Sequence, residues 1–141
     1  MLKGIHPSLG VQLLETLAAM GHGDVLAVVD RNYPAMSTSQ RVIEMPNTRC
    51  DEALEAILTL FPVDDFESPA AWRMGAVGDE ETVQPVHAAV QEVLNAAEGR
   101  DVELAPVERF DFYSRVKNAF AVVHTTDDRP YGCFLITKGV V

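Results

Sequence analysis

The sequence predicts an α/β fold: a single-domain three-layer α/β/α sandwich with a mostly parallel sheet, occupying residues 1–141. Three features lead there. Short apolar runs alternate with helix-like segments along the whole chain, the signature of strands separated by crossover helices. The run Val25–Val29 contains three valines and no polar residue, as expected of a strand buried on both faces. No internal repeat, low-complexity tract or linker divides the chain.

Taken in order, Ser8 after Pro7 is expected to cap a first helix in which Leu13, Leu14, Leu17 and Ala18 share one face and Gly21 is the stop. The strand Val25–Asp30 follows and ends in a carboxylate. Asn32, Pro34, Ser37 and Ser39 mark a loop, and Arg41–Met45 reads as a second strand. Asp51 opens a helix with Leu54, Ile57, Leu58 and Phe61 on its apolar side, ended by Pro62. Trp72–Val77 is the third strand. Thr82–Ala97 is the longest helix, with Pro85 in its first turn, where a missing N–H does little harm. Val102–Val107 reads as a strand and Arg109–Asn118 as a helix. Phe120–Thr125 and Cys133–Thr137 close the chain as two strands around Asp127-Asp128-Arg129-Pro130, near enough to form an antiparallel hairpin.

With 48% hydrophobic residues the chain can bury a core without staples. Its formal net charge of −10 repels phosphate backbones and anionic lipid, which argues against nucleic acid and membrane as partners and suits a neutral ligand. The two cysteines, Cys50 and Cys133, show neither CxxC nor metal-ligand spacing and read as buried reduced thiols. The opening Met1–Ile5 carries a lysine with no long apolar stretch after it, and Val25–Val29 and Ala119–Val123 are too short to span a bilayer. A cytoplasmic protein is expected.

Four segments carry residues suited to chemistry. In Gly21-His22-Gly23-Asp24 an imidazole, able to give and accept a proton, stands between two glycines; the competing reading is a helix C-terminal turn that happens to contain histidine. Asp30 stands at the carboxyl end of a buried strand, where ligands gather in open α/β sheets; the alternative is an Asx turn. Arg109 stands at a strand-to-helix junction and can hold a sugar oxygen or steady a carboxylate, while Phe110, Phe112 and Tyr113 beside it are more often core. Tyr131-Gly132-Cys133 begins the last strand, where a phenol beside a glycine can approach a ligand closely. His6, His87 and His124 have no partners at metal spacing and receive no role, and the acidic groups Asp64-Asp65-Glu67 and Asp79-Glu80-Glu81 read as solvated loops.

In this order the segments resemble the ribose/L-fucose mutarotase family (RbsD/FucU-type), in particular its L-fucose branch. The matching stretches are Met1–Ile5, Leu14–Asp24, Asp30-Arg31-Asn32-Tyr33-Pro34-Ala35, Arg109-Phe110 with Phe112-Tyr113, Lys117 with Ala119–Val122, Tyr131-Gly132 and Lys138-Gly139-Val140. The resemblance runs from Met1 to Val140, and between about Glu44 and Ala105 it is one of pattern more than of residues. It implies an RbsD-like fold and a cofactor-independent isomerase acting on a free monosaccharide, L-fucose first and D-ribose second. It implies that His22 is the general acid/base and that Asp30, Arg109, Tyr131, Gly132 and Cys133 bind substrate. It also implies a homodecamer with sites between neighbouring subunits. Cys133 departs from the family's asparagine, a far better donor and acceptor; the departure matters if the contact is made by the side chain and little if by backbone. A non-catalytic sugar-binding or transport-accessory protein with the same pocket is the alternative.

The two implied groups His22 and Asp30 present a geometric conflict. If Asp24–Asp30 is extended, its ends lie ~20 Å apart. Either the glycine-flanked loop folds back along the strand, or one site combines residues of two chains.

Overall fold

A strand buried on both faces and paired on both edges runs through the middle of the molecule: β1 (Val25–Val29), apolar throughout and buried at four of its five positions. The structure, a computed structural model, describes residues 2–141; Met1, the first residue of the opening segment that carries the resemblance, lies outside the described residues. On one side of β1 runs β5 (Ala121–Thr125), parallel, and beyond it β2 (Val42–Met45), also parallel. On the other side β6 (Cys133–Thr137) is antiparallel, with Cys133 opposite Val29 and Thr137 opposite Val25. β3 (Ala71–Met74) pairs antiparallel with β6, and β4 (Leu104–Val107) pairs parallel with β3. The order is therefore β2-β5-β1-β6-β3-β4, and β6 alone opposes the direction shared by the rest.

This order corrects the expected closing hairpin. β5 and β6 do not pair; β1 lies between them. Residues 126–132 cross over the carboxyl end of β1, a span of about 10 Å at two inter-strand spacings. The Arg31 N–H donates to the Asp127 carbonyl on the way (3.1 Å). A direct hairpin would leave the most apolar strand with an open edge, whereas the crossover pairs both of its edges.

Helices cover both faces. α1 (Val11–Ala19), α3 (Cys50–Ile57) and α4 (Pro85–Glu98) pack on one side, where Leu26 and Val28 of β1 and Phe134 and Ile136 of β6 point. α2 (Ala35–Thr38) and α5 (Arg109–Val116) cover the other, over Ala27, Val29 and Leu135. Side chains such as Leu54, Ile57 and Phe112 are fully buried, each contributing ~1.5–3 kcal/mol of transfer free energy. The short α2 lies in the stretch read as loop, too brief to show a helical period. Ser8 is not the cap of α1: the helix opens at Val11 behind Gly10, and the Ser8 N–H instead donates to His6 Nδ1 (3.2 Å) in a preceding turn. Pro85 is the first residue of α4, and Gly99 ends that helix in the left-handed conformation (φ 66°).

The first turn of α4 buries His87, 1% exposed, whose Nδ1 accepts the Gln84 N–H (3.0 Å). Burial, opposed by the Tyr131 carbonyl and assisted by the Arg73 charge, pushes His87 down to about 4. An unfolded histidine titrates near 6.5, so between these values the unfolded chain binds the extra proton. Stability is thus unaffected by this group above about pH 6.5 and falls as pH drops toward 4, by up to about 3 kcal/mol. Urea unfolding at pH 7 and pH 5 is expected to show a decline that the non-titrating His87→Gln variant lacks; equal declines in the two proteins would contradict it.

Candidate active site

The carboxyl ends of the parallel strands and the start of β6 meet in a crevice of about 220 Å³ lined by Asp30, Asn32, Tyr33, Met74, Arg109, Tyr113, Pro130, Tyr131 and Cys133. It is smaller than the ~300–1,000 Å³ of drug-sized ligand sites. A larger groove of about 700 Å³ lies between residues 36–41 and residues 117–120, but no carboxylate lines it. Its Arg41 is committed to the Phe120 carbonyl (2.9 Å) and ring. The crevice, with its convergent polar groups, is the chemically equipped cavity of the two.

Asp30, 7% exposed, organises the crevice. Its Oδ1 accepts the backbone N–H of Asn32 (2.9 Å) and Tyr33 (3.1 Å), and its Oδ2 accepts the Gly132 N–H (3.1 Å) and the Cys133 thiol (3.6 Å). Four donors occupy the acceptor sites a carboxylate offers. The Asp30 side chain makes the Asx turn and also lines the crevice. Burial raises the Asp30 pKa, and the hydrogen bonds from Asn32, Cys133, Gly132 and Tyr33 only partly offset it. Cys133 turns its sulfur to Asp30, and its N–H donates to the Tyr131 carbonyl (2.9 Å). Gly132 packs so tightly that an added Cβ would meet the Asp30 Cβ at 3.2 Å. Both cysteines are free and buried.

Arg109 is the first residue of α5. That helix starts where it does because the Glu108 carboxylate accepts the Phe110 and Asp111 N–H groups (2.9 and 3.0 Å). The Arg109 Nε donates to the Tyr113 hydroxyl (3.2 Å), with the guanidinium 5.5 Å from the Tyr113 ring centre. Phe112 is core, as expected, but Phe110 is 67% exposed.

His22 lies at the opposite end of the sheet. It occupies the turn between α1 and β1, where Gly23 has a positive φ of 86° and donates its N–H to the Lys138 carbonyl (2.9 Å). The His22 Nε2 faces Asp64 Oδ1 at 3.1 Å, and the ring meets Phe66 edge-on at 5.1 Å. The His22 side chain is 45% exposed and that of Asp64 only 6%. A carboxylate only accepts, so Nε2 carries the proton and Nδ1 is the acceptor nitrogen of the ring. Burial pushes the Asp64 carboxyl up, but hydrogen bonds from His22 and the Phe66 N–H outweigh it and hold the group below its ordinary value.

Asp30, Arg109, Tyr131 and Cys133 are thus brought together, and His22 is not with them. β1 is regular, so the glycine-flanked turn does not fold back: His22 and Asp30 cap its two ends, about 20 Å apart. Sequence reasoning missed Asp64, taken with Asp65 and Glu67 as solvated; it is buried because Val63 pairs with Lys138 and the Asp64 N–H donates to the Thr137 carbonyl (3.0 Å). No local signal separates it from its acidic neighbours, since its partner is 42 positions away.

Among known proteins, the profile of the RbsD / FucU transport protein family matches residues 3–141. The L-fucose mutarotase of Haemophilus influenzae (strain 86-028NP) is 41% identical over 140 residues, covering 99% of this chain and 97% of its own. The crystal structure of FucU from Bifidobacterium longum superposes with a TM-score of 0.92 at 33% identity, covering 99% of both chains. The fucose mutarotase from Streptococcus pneumoniae, solved in complex with L-fucose, superposes with a TM-score of 0.88 at 30% identity and the same coverage.

Proposed function

Because this chain belongs to the RbsD / FucU transport protein family, we propose that it is a sugar mutarotase interconverting the α and β anomers of a free monosaccharide, with L-fucose the first choice and D-ribose the second. Relatives named L-fucose mutarotase over nearly the full length support this. The observation in the molecule that carries it is the His22–Asp64 pair: an imidazole oriented by a buried carboxylate with nearly half its surface open to solvent.

Mutarotation needs a proton delivered to the ring oxygen and one removed from the anomeric hydroxyl. The ring opens, the aldehyde carbon rotates, and closure gives the other anomer. One positioned group that both gives and takes a proton suffices, contributing ~10²–10⁴-fold. His22 is that group, exchanging through Nδ1. Arg109 offers its guanidinium donors to sugar hydroxyls, and Tyr131 offers its phenol. Asp30, with its oxygens engaged, serves by holding Tyr131, Gly132 and Cys133 in place. Since Cys133 spends its side chain on Asp30 and its N–H on Tyr131, replacing the family's asparagine here alters the turn more than any direct sugar contact.

With His22 and the crevice at opposite ends of one chain, a complete site takes His22 from another copy. The proposed assembly is a homo-oligomer, a decamer as the family resemblance implies, in a single-domain chain acting in the cytoplasm. No described helix is long and apolar enough to cross a membrane.

Saturation-transfer NMR on α/β L-fucose, D-ribose and other reducing sugars tests the reading. Faster exchange with protein present supports it. Shifted sugar signals without acceleration would instead favour the transport-accessory alternative.

The orienting carboxylate gives a further expectation. Asp64→Ala frees the His22 ring, and exchange is expected to slow on the order of tenfold to a hundredfold, short of the ~10⁴ reported for a triad carboxylate. Asp64 lies below its unfolded pKa, so its stabilising effect is present above about pH 4 and lost as pH falls through the lower folded value. Melting curves at pH 7 and pH 3 should show a smaller acid loss in the variant. Wild-type exchange rates in Asp64→Ala would remove this carboxylate from the mechanism.

A further inference from the structure

We infer that His87, which lies outside the crevice lining, is a positioning residue for the sugar site: its Nε2–H, bonded to the Tyr131 carbonyl, holds Tyr131 in the backbone conformation that presents its side chain to the crevice. The inference rests on the proposed function in taking Tyr131 as a sugar contact.

Tyr131 has a φ of 62°, a left-handed conformation that few non-glycine residues adopt and for which a bulky side chain needs support from its surroundings. That support comes from three directions. The His87 Nε2 and the Cys133 N–H both reach the Tyr131 carbonyl, at 3.0 and 2.9 Å. The Gly132 N–H, next in the chain, is taken by Asp30 Oδ2. Of these, only His87 comes from the far layer, across 44 positions of sequence.

The imidazole is itself fixed. Its Nδ1 accepts the Gln84 N–H (3.0 Å), so the proton resides on Nε2 and points at the Tyr131 carbonyl. Arg73 Nη1 lies 3.4 Å from the same Nδ1. That guanidinium, 5% exposed, is held by the carbonyls of Glu80, Glu81 and Thr82 at 3.0–3.3 Å. Phe134 packs edge-on against the ring, 5.9 Å between centres at 90°. Orientation and tautomer are set by Gln84, Arg73 and Phe134, none of which lines the crevice.

Removing the Nε2–H lets Tyr131 relax toward negative φ, which swings its side chain away from where a sugar would meet it. The comparison is wild type, His87→Leu and His87→Gln, with exchange rates read over a range of L-fucose concentrations and melting temperatures read beside them. The carboxamide nitrogen of glutamine can restore the donor; leucine cannot. His87→Leu is expected to raise KM about tenfold with a smaller change in kcat, the pattern of lost binding rather than lost chemistry, and His87→Gln to recover most of it. A purely structural role would lower the melting temperature of both variants and leave KM per folded molecule unchanged. That result overturns the inference.

Should His87→Leu fail to fold, the wild-type protein decides. The ¹⁵N-detected Nε2–H signal of His87 is expected to shift when L-fucose saturates the protein, and an unmoved signal overturns the inference. If wild type itself accelerates no sugar, the functional reading falls and this inference with it. An active wild type with indifferent His87 variants sinks the inference alone.

Discussion

His22→Ala is expected to slow catalysed anomer exchange by ~10²–10⁴-fold while leaving sugar binding and the fold in place. The ring is half open to solvent, and its contacts are Asp64 and the edge of Phe66. Asp64 keeps the Phe66 N–H when the imidazole is gone. Asp64, which is buried, loses one of its donors, so the melting temperature should fall somewhat while the fold is retained. The crevice at the far end of β1 is untouched, so L-fucose should still perturb its resonances. Exchange that persists in His22→Ala would end the catalytic account. The same variant tests whether sites are shared. Co-expressed with Arg109→Ala, which is intact at His22 and deficient in the crevice, it should regain part of the lost activity in mixed assemblies, where one subunit supplies the histidine and another the arginine. No recovery would mean that the two residues serve within one chain, against their placement at opposite ends of the sheet.

Asp30→Ala should fail in the other direction, losing both stability and binding. The side chain satisfies three backbone N–H groups, those of Asn32, Tyr33 and Gly132, along with the Cys133 thiol. Each buried donor left without a partner costs about 1–3 kcal/mol. Water can reach some of the vacated space, so a total near 3 kcal/mol is expected, lowering the melting temperature by roughly 10 °C. The turn that carries Tyr131 then loses its anchor at Gly132, and the affinity for L-fucose should fall even in the folded fraction. Calorimetric melting and a sugar titration on the same sample measure the two effects. A stable Asp30→Ala protein with weakened binding would make the carboxylate a direct sugar ligand instead. A destabilised protein with native affinity would confine it to the scaffold.

These expectations draw unequally on sequence and structure. The alternation of apolar runs and helical segments was enough to predict a layered α/β fold, because burial on both faces leaves an unbroken apolar stretch such as Val25–Val29. Turn chemistry was legible too, in Pro85 at the start of α4 and in the glycines around His22. The strand order was not. Whether β6 pairs with β5 or passes over β1 depends on which edges need partners, and that is settled across the whole sheet.

The site divides along the same line. His22, Asp30, Arg109 and Tyr131 could be named as candidates because their residue types and flanking glycines or strand ends are local features, and the family resemblance supplied their roles. Asp64 and His87 could not. One looked like a solvated acid and the other like a histidine with no partner at metal spacing, and each makes a contact more than 40 positions away that no local pattern announces. The sequence by itself determined the layering and the reactive side chains, since periodicity and residue chemistry are written locally. Tertiary structure alone decided which groups meet, because hydrogen bonds between distant segments exist only once the sheet has brought their ends together. It put His22 and the crevice at opposite ends of β1 for the plain reason that an extended strand keeps its two ends apart.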